Sequence, residues 1–91
     1  MRGNKIIFVE DDARLRKNIV ELLELEGFEV KGTANALEFF QELSLGRYDV
    51  AIVDLGLPDK SGYEVVKCLR EATSLGIIIL RARDGVKDKV R

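Results

Sequence analysis

Three short segments of the chain are almost wholly apolar, namely Lys5–Val9, Val50–Val53 and Ile77–Leu80. Short apolar runs that end in turn or charged residues are typical of strands buried on both faces of a sheet. A fourth segment, Phe28–Lys31, alternates apolar and charged residues. That alternation predicts a strand with one wet face, which we expect at the edge of the sheet.

Apolar residues recur at helical spacing between these strands. Asp12 is a good N-cap for a helix that begins at Ala13, and Gly27 is a good stop signal. The inward face of this helix is predicted to carry Leu15, Ile19, Leu22 and Leu23. The opposite face is predicted to carry Arg14, Arg16, Lys17, Glu21 and Glu24.

Two further helices are predicted by the same criteria. Asn35 followed by Glu38 resembles a capping box and predicts a helix that ends near Gly46. Its inward residues are expected to be Leu37, Phe40 and Leu43. A third helix is predicted from about Gly62 to Glu71, and its buried residues are expected to include Val65, Val66, Cys68 and Leu69.

The order of elements is therefore strand and helix in strict alternation, which predicts an α/β fold with helices on both faces of a parallel sheet. Connections are short and no linker or repeat interrupts them, so residues 1–91 are predicted to form one domain without an output domain. The last apolar strand needs cover on both faces, yet few residues follow it. Residues 86–91 could begin a further helix.

Composition narrows the classes of function. The net charge is −1, which gives no electrostatic case for nucleic-acid binding by this segment. No apolar run approaches the roughly 20 residues of a membrane span, and no signal peptide opens the chain, so we expect a cytoplasmic protein. Histidine is absent, which excludes Ser/His or Cys/His nucleophile pairs and histidine metal ligands.

Acidic residues follow two of the buried strands. Glu10 and Asp11 come after the first strand, and Asp54 comes after the third. If these strands are neighbours, their ends lie about 4.8 Å apart, and carboxylates held so close together repel. A divalent cation such as Mg²⁺ would resolve that conflict, and Asp54 would then be a candidate nucleophile for phosphoryl transfer. The alternative is structural, with these acids serving only as caps, turn residues or solvated groups.

Three segments together carry a resemblance to a known family: Ile6–Asp12, Val50–Gly62 and Ile77–Asp84. The chain resembles the receiver domain of bacterial two-component response regulators, and it is most similar to the branch that carries a winged-helix DNA-binding domain. The resemblance implies a flavodoxin-like three-layer sandwich with strand order 2-1-3-4-5. For this chain it implies an incomplete sheet of order 2-1-3-4, lacking the last strand and helix.

The resemblance also implies the function and the roles of residues. Asp54 would accept a phosphoryl group from a sensor histidine kinase in a Mg²⁺-dependent reaction, to regulate transcription through an output domain absent from this chain. Asp11, Asp54 and the carbonyl of Gly56 would bind Mg²⁺ directly, and Glu10 would act through metal-bound water. Pro58 and Gly62 would shape the loop. The protein would be no enzyme beyond its own phosphorylation.

Two departures from the family pattern bear on function. Arg81 stands where the family places a Ser or Thr that bonds the phosphoryl group. Arg81 could enter the acidic pocket in place of the cation, which is the option we favour, or it could turn to solvent, or the substitution could be incidental. The chain also ends before the fifth strand and helix, and hence before the lysine and the aromatic residue that they contribute.

The missing elements predict self-association, through the fourth-strand edge or by exchange of segments, because an open apolar edge is a template for pairing. The alternative function is therefore a non-phosphorylatable interaction module whose pocket is closed by Arg81. An aspartate-nucleophile phosphatase of the haloacid dehalogenase type is disfavoured, because Gly56 occupies the place of its second acid.

Overall fold

A computed structural model describes residues 4–57 and 61–80 of the chain. Strands and helices alternate along it as the apolar pattern predicts. The strands are β1 (Lys5–Val9), β2 (Glu29–Thr33), β3 (Val50–Asp54) and β4 (Gly76–Leu80), and the helices are α1 (Ala13–Leu25), α2 (Ala36–Leu45) and α3 (Gly62–Ala72).

The four strands form one parallel sheet with the order β2-β1-β3-β4. β1 and β3 are therefore neighbours, with Val9 opposite Val53, so the residues that follow each strand emerge side by side. β2 lies at an edge, as its alternating pattern predicts, and its exposed and partly buried residues alternate up to Thr33. The strand order implied by the family resemblance is confirmed for these four strands.

Apolar side chains pack on both faces of the sheet. On one face Phe8, Ile6 and Ile52 pack with Ile19, Val20 and Leu23 of α1. On the other face α2 and α3 cover the sheet, and the buried cluster there contains Ile7, Val9, Ala36, Phe39, Ala51, Val53, Val65, Val66 and Leu69. The core of a three-layer α/β fold is thus present on both sides of β1 and β3.

Side-chain caps begin the three helices where the sequence suggests. Asp12 accepts hydrogen bonds from the amides of Arg14 and Leu15, at 3.0 and 3.1 Å. Asn35 and Ser61 cap α2 and α3 in the same way. Gly27 ends α1 with a φ of 101°, a conformation that favours glycine because it has no Cβ.

Three predicted buried residues prove exposed, each for the same geometric reason. The buried face of α2 is formed by Ala36, Phe39, Phe40 and Leu43, whereas Leu37 is 63% exposed. Leu22 is 60% exposed beside the inward Leu23, and Cys68 is exposed beside the buried Leu69. Each lies one residue off its helix's apolar stripe, and one residue is a rotation of about 100°.

Several expectations fall on residues outside the described ranges. They are the positions of Pro58 and Arg81 and the further helix over 86–91. β4 itself is partly open, since Ile78 is 52% exposed and Ile79 is 37% exposed. Within residues 4–57 and 61–80, only β3 pairs with β4, so its other edge has no strand partner in that part of the chain.

Candidate acidic site

Three carboxylates meet at the carboxyl end of the sheet. Glu10 and Asp11 follow β1, Asp54 is the last residue of β3, and one oxygen from each lies within 4.8 Å of the other two. The parallel pairing of β1 with β3 produces this meeting, because it aligns the ends of both strands. The clustering expected from the sequence is therefore what the fold shows.

The three acids differ in burial. Glu10 and Asp54 are each only 1% exposed, whereas Asp11 is exposed. A buried carboxylate loses hydration that only a cation or strong hydrogen-bond donors can replace. The site therefore combines two buried acids, Glu10 and Asp54, with one exposed acid, Asp11. The cluster is open to solvent on the side of Asp11.

The turn that carries Glu10 is held by hydrogen bonds from two elements. Its amide donates to the carbonyl of Thr33 at the end of β2 (3.0 Å), and its carbonyl accepts from Nη1 of Arg16 on α1 (2.8 Å). Its carboxylate Oε2 accepts from the amide of Asp12 (3.0 Å). Asp12 in turn caps α1, so the site and the helix N-terminus share one turn.

Thr33 is a structural part of the site that the sequence pattern did not reveal. It is 2% exposed, and its hydroxyl donates to the carbonyl of Phe8 at 2.9 Å, while its own carbonyl accepts from Glu10. A threonine at the end of an alternating strand looks like an ordinary β-residue. Only the pairing of β2 with β1 brings it beside the acids.

The loop after β3 approaches α3 very closely. The amide of Gly62 donates to the carbonyl of Leu55 at 3.1 Å, and a Cβ on Gly62 would lie 2.4 Å from the Cα of Leu55 and 2.6 Å from the carbonyl oxygen of Asp54. Gly56, the predicted carbonyl ligand, is half-buried in this loop. The glycine at 62 is thus required so that α3 can begin directly against the acidic strand end.

The donor set fits a hard divalent cation. Carboxylate oxygens are the ligands that Mg²⁺ prefers, and Mg²⁺ usually binds through one or two carboxylates and keeps several waters. Because Asp11 is exposed to solvent, the site has room for such waters. A thiol or imidazole ligand, by contrast, is absent from the cluster, which disfavours zinc.

A parallel α/β sheet with a buried acid at the end of a central strand, beside two acids from its neighbour, is the architecture of a receiver domain. The chain belongs to the response regulator receiver domain family, whose family model matches residues 6–91. Receiver domains of this family accept signals in two-component systems, in which they pair with histidine kinases and generally bind Mg²⁺ at an acidic site.

Two relatives indicate the branch of the response regulator family to which the chain is similar. The chain is 39% identical over 87 residues to the virulence transcriptional regulatory protein PhoP of Salmonella choleraesuis, covering 94% of this chain and 39% of PhoP. It is 38% identical over 88 residues to the cell cycle response regulator CtrA of Brucella ovis, covering 96% and 38%. Both are winged-helix-type response regulators, which confirms the predicted branch. The chain spans about two fifths of these relatives' length.

Solved structures agree on the fold. A CheY-like receiver domain from Methylobacillus flagellatus matches with a TM-score of 0.78 and 29% identity, over 84% of this chain and 67% of that one. CheY4 of Vibrio cholerae matches with 0.76 and 28%, over 85% and 67%. A structure of the histidine kinase ThkA in complex with the response regulator protein TrrA matches with 0.79 and 31%, over 84% and 66%. The flavodoxin-like prediction is confirmed.

None of the helices in the described ranges is long and apolar enough to cross a bilayer.

Proposed function

We propose that Asp54 is the phosphoacceptor of this receiver domain, in a reaction that depends on Mg²⁺. The observation that carries the proposal is the meeting of Glu10, Asp11 and Asp54 within 4.8 Å, with Asp54 buried at the end of a central strand. The membership of the chain in the receiver family supports the same assignment.

Phosphoryl transfer requires an oxygen nucleophile and a group that offsets the negative charge of the carboxylates and the phosphoryl oxygens. A carboxylate oxygen of Asp54 attacks the phosphorus of a phosphohistidine, the phosphorus–nitrogen bond breaks, and the imidazole nitrogen keeps the electron pair. The product is an acyl phosphate on Asp54 and an unphosphorylated histidine. When bound, Mg²⁺ would offset the negative charge of the carboxylates and of the phosphoryl oxygens.

The residues around Asp54 would have different roles in binding the cation. Asp11 and Asp54 would bind it directly with the carbonyl of Gly56, and Glu10 would act through a bound water. The exposure of Asp11 supports its direct role, because an exposed acid can meet an incoming ion. Glu10 and Asp54 are equally buried, and the difference between their roles is what the family resemblance implies. Arg81 lies outside the described residues, so its three predicted alternatives stay open: entry into the pocket in place of the cation, which we favour, an orientation toward solvent, or an incidental substitution.

The partner that supplies the phosphoryl group would be a sensor histidine kinase. The similarity to PhoP and CtrA supports a role in transcription control, which would be exerted through an output domain. The chain would be no enzyme beyond promoting its own phosphorylation. Its acid-rich site and its net charge of −1 also argue against direct nucleic-acid binding by this segment.

The test of the site assignment is chemical trapping. The protein is incubated with Mg²⁺ and a small phosphodonor, then reduced with borohydride, which converts an aspartyl phosphate into homoserine. Peptide mass analysis should place the homoserine at position 54. Homoserine at position 11 or 12 instead would refute Asp54 as the acceptor.

The alternative function, a self-associating module whose pocket is closed by Arg81, has one structural observation in its favour. Ile78 and Ile79 of β4 expose 52% and 37% of their surface, and the strand's outer edge is open in the part of the chain that the structure describes. Apolar strand edges of this kind pair readily with other chains. Self-association by itself would not prevent phosphorylation of Asp54. Arg81 in the pocket would prevent it.

A further inference from the structure

Arg16 reaches the acidic site from outside it. Its Nη1 donates to the carbonyl of Glu10 at 2.8 Å, across six positions of sequence. The other backbone group of Glu10, its amide, is bonded to the carbonyl of Thr33. The backbone of Glu10, one of the two buried acids, is therefore fixed by α1 on one side and by β2 on the other.

The stem of Arg16 is itself held in place. Arg16 is half-buried, and a Cβ on Gly32 would lie 3.2 Å from its Cγ and 3.3 Å from its Cδ. The absence of a side chain at Gly32 leaves the space in which the stem lies across β2. The sequence pattern assigned Arg16 to the solvent face of α1, whereas the fold uses its length to reach Glu10.

We propose that Arg16 is a positioning residue for the divalent-cation site. Its hydrogen bond fixes the direction in which the turn Glu10–Asp12 leaves β1, and that turn sets where the carboxylates of Glu10 and Asp11 stand relative to Asp54. The amide of Asp12 bonds to Oε2 of Glu10, so a movement of the Glu10 backbone would also move its carboxylate. The inference rests on the proposed cation binding.

The charge of Arg16 makes the proposal unusually easy to test. A guanidinium 2.8 Å from the carbonyl of Glu10 repels a cation held beside the Glu10 carboxylate, so its removal should tighten Mg²⁺ binding if charge were its only effect. A positioning role predicts the opposite, because the carboxylates lose their alignment. Partners that orient metal ligands commonly contribute a factor of about ten or more in metal affinity.

The experiment compares three substitutions in the 91-residue chain. Arg16→Met keeps an unbranched stem over Gly32 and removes the donor, and Arg16→Lys keeps the charge and a donor. Arg14→Met is the matched control, because it removes the same charge from the first turn of α1 at an exposed position. Mg²⁺ is titrated while the backbone amides of Asp11 and Gly56 are followed by NMR, and urea unfolding is measured for each variant.

We expect Arg16→Met to weaken Mg²⁺ binding by roughly tenfold, Arg16→Lys to weaken it less, and Arg14→Met to leave it unchanged or slightly tighter. Unchanged or tighter binding in Arg16→Met would overturn the inference, while binding by the unsubstituted chain would keep the proposed site intact. If the unsubstituted chain binds no Mg²⁺, both the site and the inference fail. If Arg16→Met does not fold, the comparison of Arg16→Lys with Arg14→Met decides, and equal affinities would overturn the proposal.

Discussion

The phenol of Tyr48 is half-buried. Burial, together with the charge of Glu42 and a hydrogen bond to its carboxylate, raises the pKa of Tyr48 above the ordinary tyrosine value of 10.0. The native state therefore holds the phenol proton more tightly than the unfolded state. Stability from this group is fully present below pH 10, and it is lost as the pH rises through the native pKa.

The measurement is an absorbance titration of the phenolate in a Tyr63→Phe background, where Tyr48 is the only tyrosine. We expect a midpoint above 10.0 that falls in Glu42→Gln, because the carboxylate's charge is then gone. A midpoint at or below 10.0, measured while the chain is still folded, would contradict the described environment of Tyr48.

The roles of individual residues were predictable where a residue's chemistry is set by its place in a strand or at a cap. Asp12, Asn35 and Gly27 perform the capping and stop functions that their residue types favour. Asp54 was identifiable because a lone acid after a buried strand is costly there. Thr33 and Arg16 were not identifiable, since their contacts join residues 25 and six positions away in sequence.

At the scale of elements, apolar patterning located every described strand and helix and most of the inward-facing residues, but it misplaced Leu22, Leu37 and Cys68. The strands Lys5–Val9 and Val50–Asp54 were clear because both faces are buried and the runs are continuous. Helix faces were less clear because leucines occur beside the stripe as well as in it. Leu22 and Leu37 lie outside, and Phe39 supplies the buried centre of α2.

The start of α3 provides a test at this scale. A methyl group at position 62 would meet the Cα of Leu55 at 2.4 Å, and backbone atoms have little room to withdraw. We expect Gly62→Ala to reduce the free energy of unfolding by at least about 2 kcal/mol, since α3 must shift away from β3. Urea denaturation followed by circular dichroism measures this loss.

Gly76→Ala is the control for that substitution. The nearest atom to a Cβ at position 76 is Cγ2 of Val50 at 3.7 Å, an ordinary contact. We expect a change within about 0.5 kcal/mol, as for other substitutions without a steric conflict. Equal losses in both variants would show that α3 does not press against the strand end.

At the scale of the whole molecule, the sequence predicted a parallel α/β domain, and the family resemblance supplied the strand order that alternation alone cannot give. Alternation fixes the sequence of elements, whereas the order in the sheet depends on which strand pairs with β1 on each side. That order decides whether Glu10 and Asp54 meet. The clustering of the acids is therefore a consequence of topology, which acts between segments about forty residues apart.

Among the described residues, the outer edge of β4 has no strand partner, and this edge predicts association between molecules. We expect the chain to form dimers or larger species at micromolar concentration, because exposed Ile78 and Ile79 favour edge pairing. Ile78→Lys should shift the population to monomer in sedimentation velocity. Leu25→Lys is the matched control, since Leu25 is 83% exposed at the end of α1 and away from the sheet edge. A monomeric unsubstituted chain would contradict the prediction.

The central claim is that Asp54 accepts a phosphoryl group in a site assembled by Glu10 and Asp11. Its most direct test is the intact mass of the folded chain after incubation with Mg²⁺ and a small phosphodonor, beside Asp54→Asn and a sample with excess chelator. We predict a gain of one phosphoryl group in the unsubstituted chain with Mg²⁺, and no gain in either control. No gain in the folded, unsubstituted chain, or an equal gain in Asp54→Asn, would contradict the assignment.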